Sequence, residues 1–134
     1  IASVYKHKKI KCLLAPTRGE GYGLPLIEAA ASGLPVIATG WSGHTDFLKD
    51  GMYSKLDYSL AEISKDRIDG RVFMKGTRWA EVSEASFKEK IQDMYNNYDL
   101  HLENATKLQK SIKKNYSKKA IIDIYQDVFN KYIK

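Results

Sequence analysis

One segment of the chain, residues 17–28, combines residue types that could hold a phosphorylated ligand. It reads Thr-Arg-Gly-Glu-Gly-Tyr-Gly-Leu-Pro-Leu-Ile-Glu, with three alternating glycines followed by a proline suited to the first turn of a helix. Glycine costs backbone entropy wherever it is fixed, so this density predicts a backbone that a ligand approaches closely. The free N–H groups of a helix start attract anions, phosphates above all.

Two carboxylates accompany the glycines. Glu20 lies in the turn, and Glu28 follows one helical turn after the expected helix start, with seven residues between the two. Side chains on a helix lean toward its N-terminus, so the Glu28 carboxylate tilts back toward the glycine turn. We therefore expect one pocket in which backbone amides hold a phosphate and two carboxylates accept hydrogen bonds from hydroxyl groups.

The segments around the turn predict a strand–helix–strand unit. Residues 11–15 and 35–39 are short apolar stretches typical of buried strands, and residues 24–32 read as the helix between them. Such a unit requires parallel strands and a right-handed crossover. The glycine turn and the loop at residues 40–43 then share the carboxyl edge of the sheet, where open parallel sheets bind ligands.

The remaining segments predict further short strands and several helices. Residues 79–83 lead into a helix that either Ser83 or Ser86 caps, and Trp79 is expected in the core. The other expected elements are a helix end at 2–8, a short helix at 44–48, strands at 52–63 and 71–75, a polar loop at 64–70, and two apolar-striped helices after residue 98, the last from about Ser117.

Length and composition limit the class of protein. The 134 residues suffice for one domain and contain no apolar run long enough to span a bilayer. The single cysteine, Cys12, excludes an internal disulfide and fits a cytoplasmic location. The three histidines are scattered, so no Cys/His cluster has the spacing of a metal site, and no metal is expected.

The formal net charge is +6, with lysines concentrated at residues 6–11 and 107–119. An excess of basic residues can bind nucleic acid, anionic lipid or a phosphorylated ligand. The simpler interpretation is a solvated, lysine-rich surface. Because no aromatic and basic RNA-binding signature or helix-turn-helix pattern stands out, nucleic acid is not the expected partner. Peripheral contact with a membrane stays open.

Residues 14–48 resemble the donor-binding region of the retaining glycosyltransferases of family 4, which have the GT-B fold. The resemblance rests on Glu20-Gly21-Tyr22-Gly23-Leu24-Pro25 with Glu28 after it, on Gly33-Leu34-Pro35, and on Trp79-Ala80-Glu81 before a helix. It implies an α/β fold: a Rossmann-like parallel sheet with flanking helices, forming part of the C-terminal domain of a GT-B enzyme.

The resemblance also implies roles for individual residues. Glu28 matches the glutamate that binds the ribose of a nucleotide-sugar. Glu20 matches the one that faces the transferred sugar, which makes it the candidate catalytic residue. The donor-binding backbone would be that of Gly21, Tyr22, Gly23 and Leu24, and the possible donor-loop residues are Thr39, Gly40, Gly43 and His44.

One loop departs from the family pattern. The run Gly40-Trp41-Ser42-Gly43-His44-Thr45-Asp46 replaces the commoner small-Gly-Gly-x-x-Glu, so Asp46 stands near the family's glutamate. The basic residues that hold the diphosphate in this family are expected before the start of this chain.

The implied reaction is that of a hexosyltransferase: transfer of a sugar from a nucleotide-diphosphate donor to an acceptor hydroxyl, with retention of anomeric configuration and without a metal. Residues 1–134 are expected to form part of the donor domain and to lack turnover alone. The acceptor, a glycan, lipid or protein, would bind through an N-terminal domain. The expected location is the cytoplasm or the cytoplasmic face of a membrane.

Residues 117–134 are expected to form a terminal helix that packs toward the missing domain, which would leave an apolar stripe able to promote self-association. Two alternatives to the transferase remain open. One is a non-catalytic nucleotide-sugar-binding module. The other, less favoured, is a basic nucleic-acid-binding domain.

Overall fold

The computed structural model describes residues 2–133, which contain a three-stranded parallel sheet, a two-stranded antiparallel sheet and five α-helices. The strands are β1 (Leu13–Ala15), β2 (Val36–Thr39), β3 (Ser54–Leu56), β4 (Tyr58–Glu62) and β5 (Arg78–Val82). The helices are α1 (Ala2–Tyr5), α2 (Leu24–Ala31), α3 (Glu84–Asn96), α4 (Tyr98–Asn115) and α5 (Lys118–Tyr132), with 3₁₀ turns at Gly43–Asp46 and Lys65–Arg67.

The parallel sheet has the strand order β1-β2-β3, and its central strand is covered on both faces. All four residues of β2 are buried, as expected for a central strand between two layers of helix. Side chains alternate between the faces of a strand, so Val36 and Ala38 join the core under α2 and α4, whereas Ile37 joins a second cluster with Met94 of α3. The predicted α/β fold with a parallel sheet and flanking helices is confirmed.

The contact between α2 and α4 fixes the helix that follows the glycine turn. Ala29 and Ala30 are fully buried, and their small side chains let α4 approach with Leu108 and Ile112. At the C-terminal end of α2, the Gln109 side chain of α4 donates a hydrogen bond of 2.9 Å to the Ala31 carbonyl. The core therefore sets the position and the tilt of α2 from both its apolar face and its end.

A chain of hydrogen bonds ties β3 to two helices. His101 of α4 lies 2.8 Å from the Asp93 carboxylate of α3 through Nε2, and 3.3 Å from the Ser54 hydroxyl of β3 through Nδ1. Hydrogen bonds from Asn97 and, with a smaller effect, from His101 lower the pKa of Asp93. Ser, His and Asp are also the residue types of the catalytic triad in many hydrolases. Ser54 is buried within the sheet, however, so here the three residues hold β3 to the two helices.

The second sheet differs from the sequence-based prediction. Residues 71–75 form no strand, and β5 at Arg78–Val82 pairs instead with β4. The Asp69 carboxylate accepts hydrogen bonds from the N–H groups of Arg71, Val72 and Phe73, at 2.8 to 2.9 Å. These hydrogen bonds turn the backbone and use the N–H groups that a strand would need for pairing. Trp79, expected in the core, lies on β5 and is partly exposed.

Smaller differences concern the ends of elements. The stretch predicted as strand at 52–63 breaks at Asp57, and its two halves join different sheets. Of the two candidate caps for α3, Ser83 is the cap: its hydroxyl accepts from the Ser86 N–H at 3.2 Å. Ser86 is buried and accepts instead from the Asp57 N–H at 3.0 Å, so it joins α3 to the strand break. The helix predicted at 44–48 is a 3₁₀ turn over Gly43–Asp46.

The helix predicted from about Ser117 is confirmed as α5, capped by Ser117. None of its residues is buried, and its exposed apolar side chains are Ile122, Ile124, Tyr125, Val128, Phe129 and Tyr132. What the predicted terminal helix packs against stays a prediction. Across residues 2–133, no helix is both long and apolar enough to cross a membrane.

We expect Leu108→Ala to destabilise the fold strongly, because Leu108 is 1% exposed where α4 meets α2. Loss of a buried leucine side chain leaves a cavity and costs about 2–5 kcal/mol. Leu100→Ala is the matched control, since Leu100 lies on the same helix and is 56% exposed. Its cost should stay within about 0.5 kcal/mol. Urea denaturation measures both, and equal effects would contradict the assigned core.

Candidate functional site

The glycine turn leads into a helix whose first N–H groups have no partner within the helix. Helix α2 begins at Leu24, as predicted, and Leu26 makes the first helical hydrogen bond, from its N–H to the Gly23 carbonyl at 3.0 Å. The N–H groups that precede it in the turn therefore take no part in the helix ladder. Gly23 is in the left-handed region, at φ 88° and ψ 54°, which favours glycine. Among residues 2–133, the N–H groups of residues 21–24 donate to no backbone carbonyl.

Packing behind the turn also requires glycine at position 23. A Cβ there would lie 2.8 Å from Leu26 Cδ1 and 3.0 Å from His44 Cβ. Both neighbours are buried, so neither can move aside without disturbing the core. The His44 side chain therefore forms the floor under the helix start.

A second loop holds the main chain of Glu20 in place. The Ser42 hydroxyl donates a hydrogen bond to the Glu20 carbonyl at 2.7 Å and accepts one from the Glu20 N–H at 2.9 Å. The Gly43 N–H donates to the same carbonyl at 3.0 Å. We call these three bonds the Ser42–Glu20 clamp. They fix both backbone groups of the candidate catalytic residue, whose side chain is half-buried.

The clamp holds Ser42 in an unfavourable backbone conformation. Among residues 2–133, Ser42 is the one non-glycine residue with positive φ, at φ 95° and ψ −173°. Such conformations cost about 1–3 kcal/mol and persist where surrounding bonds over-determine them. A Cβ on the next residue, Gly43, would overlap the Gly21 carbonyl, whereas one on Gly21 would meet nothing within 4 Å. The loop and the turn are thus in direct backbone contact.

Thr39 and His44, two possible donor-loop residues, are fully buried beneath the turn. The Thr39 hydroxyl donates to the Thr17 carbonyl at 2.7 Å, which joins the end of β2 to the start of the turn. His44 Nε2 lies 2.6 Å from the Thr39 carbonyl. A carbonyl can only accept, so Nε2 carries the hydrogen. In the structure, both side chains support the loop from below, and their contact with a ligand stays a prediction.

Gly40, another of the donor-loop residues, anchors the loop to the neighbouring strand. Its N–H donates to the Leu56 carbonyl at 3.0 Å, and a Cβ would lie 2.7 Å from the Lys55 side chain. The Glu28 side chain, in contrast, is exposed on α2 and has room for a ligand. Glu20 is thus half-buried in the turn and Glu28 is exposed on α2, and that both face one ligand stays a prediction.

An aromatic row supports the outer side of the turn. The Tyr22 ring packs on Phe47 at a centroid distance of 5.4 Å, and Phe47 meets Tyr116 edge-on at 6.2 Å. The Tyr116 hydroxyl lies 3.2 Å from the Asp46 carboxylate. Burial, and then Asp46, raise the pKa of Tyr116. This row links the turn to the C-terminal end of α4, a link that sequence spacing does not reveal.

Comparison with known proteins identifies a family for the chain. Residues 6–123 match the model of the family described as family 4 glycosyltransferases in conflict systems. The chain belongs to this family. It is also 34% identical over 77 residues to the sucrose synthase of Acidithiobacillus caldus, a match that covers 53% of this chain and 10% of that protein. No solved structure matches the chain.

Membership in the family confirms the resemblance drawn from residues 14–48 and from Trp79-Ala80-Glu81, and the matched region also includes α3 and α4. The roles of single residues in this family 4 chain stay predictions. The same holds for the expected absence of a metal. Within the described part of the chain, residues 2–133, no group of three or more His, Cys, Asp or Glu side chains is placed to hold one.

Sequence reasoning missed an aromatic cavity next to the turn. Its volume is about 490 Å³, and its walls include Gly19, Trp41, Phe73 and Trp79. The Phe73 and Trp79 rings meet edge-on at 5.9 Å. The β4–β5 hairpin is anchored here because the Ala80 N–H donates to the Arg18 carbonyl at 2.9 Å. Two tryptophans, one in the loop after β2 and one on β5, were the available signal, but nothing in their spacing brings them together.

We expect Gly43→Ala to destabilise the chain by at least about 1 kcal/mol, because a glycine replaced where a side chain does not fit costs more than that. The new methyl group would run into the Gly21 carbonyl. Gly21→Ala is the control, since its Cβ would meet nothing within 4 Å and its φ is not positive. Thermal unfolding compares the two variants. Equal stability would show that the loop and the turn are not in contact.

We expect acid to release the 69–73 loop. Hydrogen bonds from the N–H groups of Arg71 and Phe73 lower the pKa of Asp69 below its ordinary value of 3.8. A depressed pKa means that the carboxylate stabilises the loop above pH 3.8 and that this contribution is lost as the pH falls through the lowered value. Tryptophan fluorescence reports the change, because Phe73 contacts Trp79.

In this titration the Asp69→Ala variant should show, already at neutral pH, the fluorescence spectrum that the unmodified chain shows in acid. Asp127→Ala, which removes an exposed acid on α5, should behave like the unmodified chain. A spectrum of Asp69→Ala that matches the unmodified chain at neutral pH would mean that this carboxylate does not order the loop.

Proposed function

We propose that this chain binds a nucleotide-diphosphate sugar at the glycine turn and serves as the donor half of a retaining hexosyltransferase. The observation that carries the proposal is the open start of α2 beside Glu20, whose backbone the Ser42–Glu20 clamp holds. Family membership supports a glycosyl transfer, and the acceptor would be a hydroxyl of a glycan, lipid or protein.

In this proposal the diphosphate lies on the amides of residues 21–24. Departure of the nucleotide diphosphate builds negative charge on its oxygens, and preorganised N–H dipoles stabilise charge where it develops. Losing one such donor can raise a barrier by roughly 3–4 kcal/mol. The dipole of α2 acts in the same direction. Because amides supply this stabilisation, we also propose that transfer needs no metal, and loss of activity in a chelator would contradict this.

The two glutamates take different parts of the donor. Glu28, exposed on α2, accepts hydrogen bonds from the ribose hydroxyls, and Glu20 orients the transferred sugar or stabilises its charge. A retaining glycosidase would need its two carboxyl groups about 5 Å apart across one bond. A turn residue and a helix residue with seven others between them suit two parts of one ligand better.

We further propose that the apolar side of α5 packs against another domain of the enzyme. Its six exposed apolar side chains form a surface that water disfavours, and in isolation that surface would promote self-association. The family description places its members in conflict systems, and we propose that setting for the reaction of this chain as well.

Titration calorimetry with UDP, GDP and ADP tests donor binding. We expect Gly21→Ala to abolish binding of the preferred diphosphate while leaving thermal stability unchanged, because the new methyl group would occupy the open space where the phosphate lies. Glu28→Gln should weaken the same binding about ten- to a hundred-fold, the effect of losing a hydrogen bond to a charged group.

Glu62→Gln, an exposed glutamate of the hairpin, is the matched control and should bind normally. If no diphosphate binds, or if Gly21→Ala and Glu28→Gln bind as tightly as the control, the proposed donor site is wrong. Intact binding without sugar transfer by the full-length protein and its acceptor would favour a non-catalytic binding module.

A further inference from the structure

The aromatic cavity lies at the edge of the glycine turn. It has the size of a small-molecule site, since its 490 Å³ falls within the usual range of about 300–1,000 Å³. Both tryptophans of the chain line it, Trp41 from the loop after β2 and Trp79 from β5. Aromatic walls with a few charged groups at the rim are typical of a binding site for a small organic ligand.

The position of the cavity along the turn indicates which part of the reaction it serves. Its walls include Arg18 and Gly19, which precede Glu20, and no residue from 21–28. In the proposed donor site the ribose lies at Glu28, the diphosphate at 21–24 and the transferred sugar at Glu20. The cavity thus lies on the Gly19 side of Glu20, away from the residues assigned to the diphosphate and the ribose. In the proposed donor arrangement, a molecule in it would be on the side of the transferred sugar.

We propose that this cavity binds a sugar ring of the acceptor, so that the chain supplies part of the acceptor site as well as the donor site. The inference rests on the proposed function. The C–H faces of a sugar ring are apolar and pack on aromatic rings, while its hydroxyl groups reach the polar rim. Trp41, Phe73 and Trp79 supply the rings, and Arg78 and Thr77 lie at the polar part of the wall.

The charge of the wall favours an anionic sugar. The Arg18 guanidinium stacks on the Trp79 ring at 4.4 Å and pairs with the Glu81 carboxylate at 3.0 Å, so its charge is balanced. Arg78 lies opposite Glu62 in the β4–β5 pair but forms no ion pair among residues 2–133. Its guanidinium is therefore available to a ligand, and a carboxylate or phosphate on the sugar would complement it.

The cavity wall is held by its own loop. The three hydrogen bonds to Asp69 order the backbone through Phe73, so this ring stands against Trp79 although the loop around it is exposed. The Trp41 side is held by the neighbouring Ser42, which belongs to the Ser42–Glu20 clamp. The same contact that places Glu20 thus also places one wall of the cavity, and this couples the two pockets.

Intrinsic tryptophan fluorescence tests the inference directly, because the chain contains two tryptophans and both line the cavity. The probes are methyl β-glucuronide and methyl β-glucoside, which differ in a carboxylate, with saturation-transfer NMR as the second readout. We expect both to bind, the glucuronide about two- to five-fold more tightly, the effect of one exposed ion pair. Arg78→Gln should abolish that preference without abolishing binding.

Phe73→Ala should remove binding of both sugars, since it deletes one wall at a partly exposed position. Phe129→Ala is the matched control, an exposed phenylalanine on α5, and should bind like the unmodified chain. Circular dichroism verifies that both variants are folded. The inference would be overturned if neither sugar bound in either readout. It would also be overturned if Phe73→Ala and Phe129→Ala bound the sugars equally well.

A nucleoside probe separates this inference from the proposed function. Uridine and adenosine, which carry a nucleobase but no phosphate, should not compete with the glucuronide, and competition would make the cavity a nucleobase site instead. Nucleoside diphosphates that bind at the glycine turn while no sugar enters the cavity would overturn the acceptor site and leave the donor site standing. Sugar binding in the cavity without any diphosphate binding would overturn the proposed function.

Discussion

The arrangement of the site depends on the hydrogen bonds between Ser42, Gly43 and the main chain of Glu20. Two loops at the carboxyl edge of the sheet would otherwise be joined only below, by the Thr39–Thr17 hydrogen bond and the packing of His44 under Gly23. Because one hydroxyl group both donates to and accepts from the same residue, the loops become one unit. The strained backbone of Ser42 is the cost of this contact, and two hydrogen bonds together with close packing at Gly43 offset it.

The supports under this unit are buried and polar. Thr39 and His44 lie fully buried under the turn, and each uses one polar atom to join neighbouring backbone segments. Losing either bond would leave a further buried polar group unpaired, beside His44 Nδ1, which has no partner among the described residues, so the two bonds favour one arrangement. The apolar contact of α2 with α4 then fixes the helix whose first N–H groups face the open turn. Backbone donors are thereby placed without any charged side chain.

Much of this could be predicted from local sequence. The glycines, Pro25 and the two apolar strands act within a few residues of each other, which is why the helix start at Leu24 and the parallel sheet follow from the pattern alone. The hairpin could not be predicted in this way. Residues 71–75 have the composition of a strand, yet one carboxylate, Asp69, takes their N–H groups, and pairing passes to Arg78–Val82. The strand propensities of the residues do not report such competition for backbone N–H groups.

The sequence by itself determined the family, the α/β fold class and the glycine turn with its two glutamates, because each of these is set by residue types at short, regular spacing. The tertiary structure alone decided that Ser42 clamps Glu20 and that His44 is buried under the turn. It also brought Trp41, Phe73 and Trp79 together around one cavity beside Gly19. These residues are up to several dozen positions apart, and only the folding of the sheet edge and the hairpin makes them neighbours.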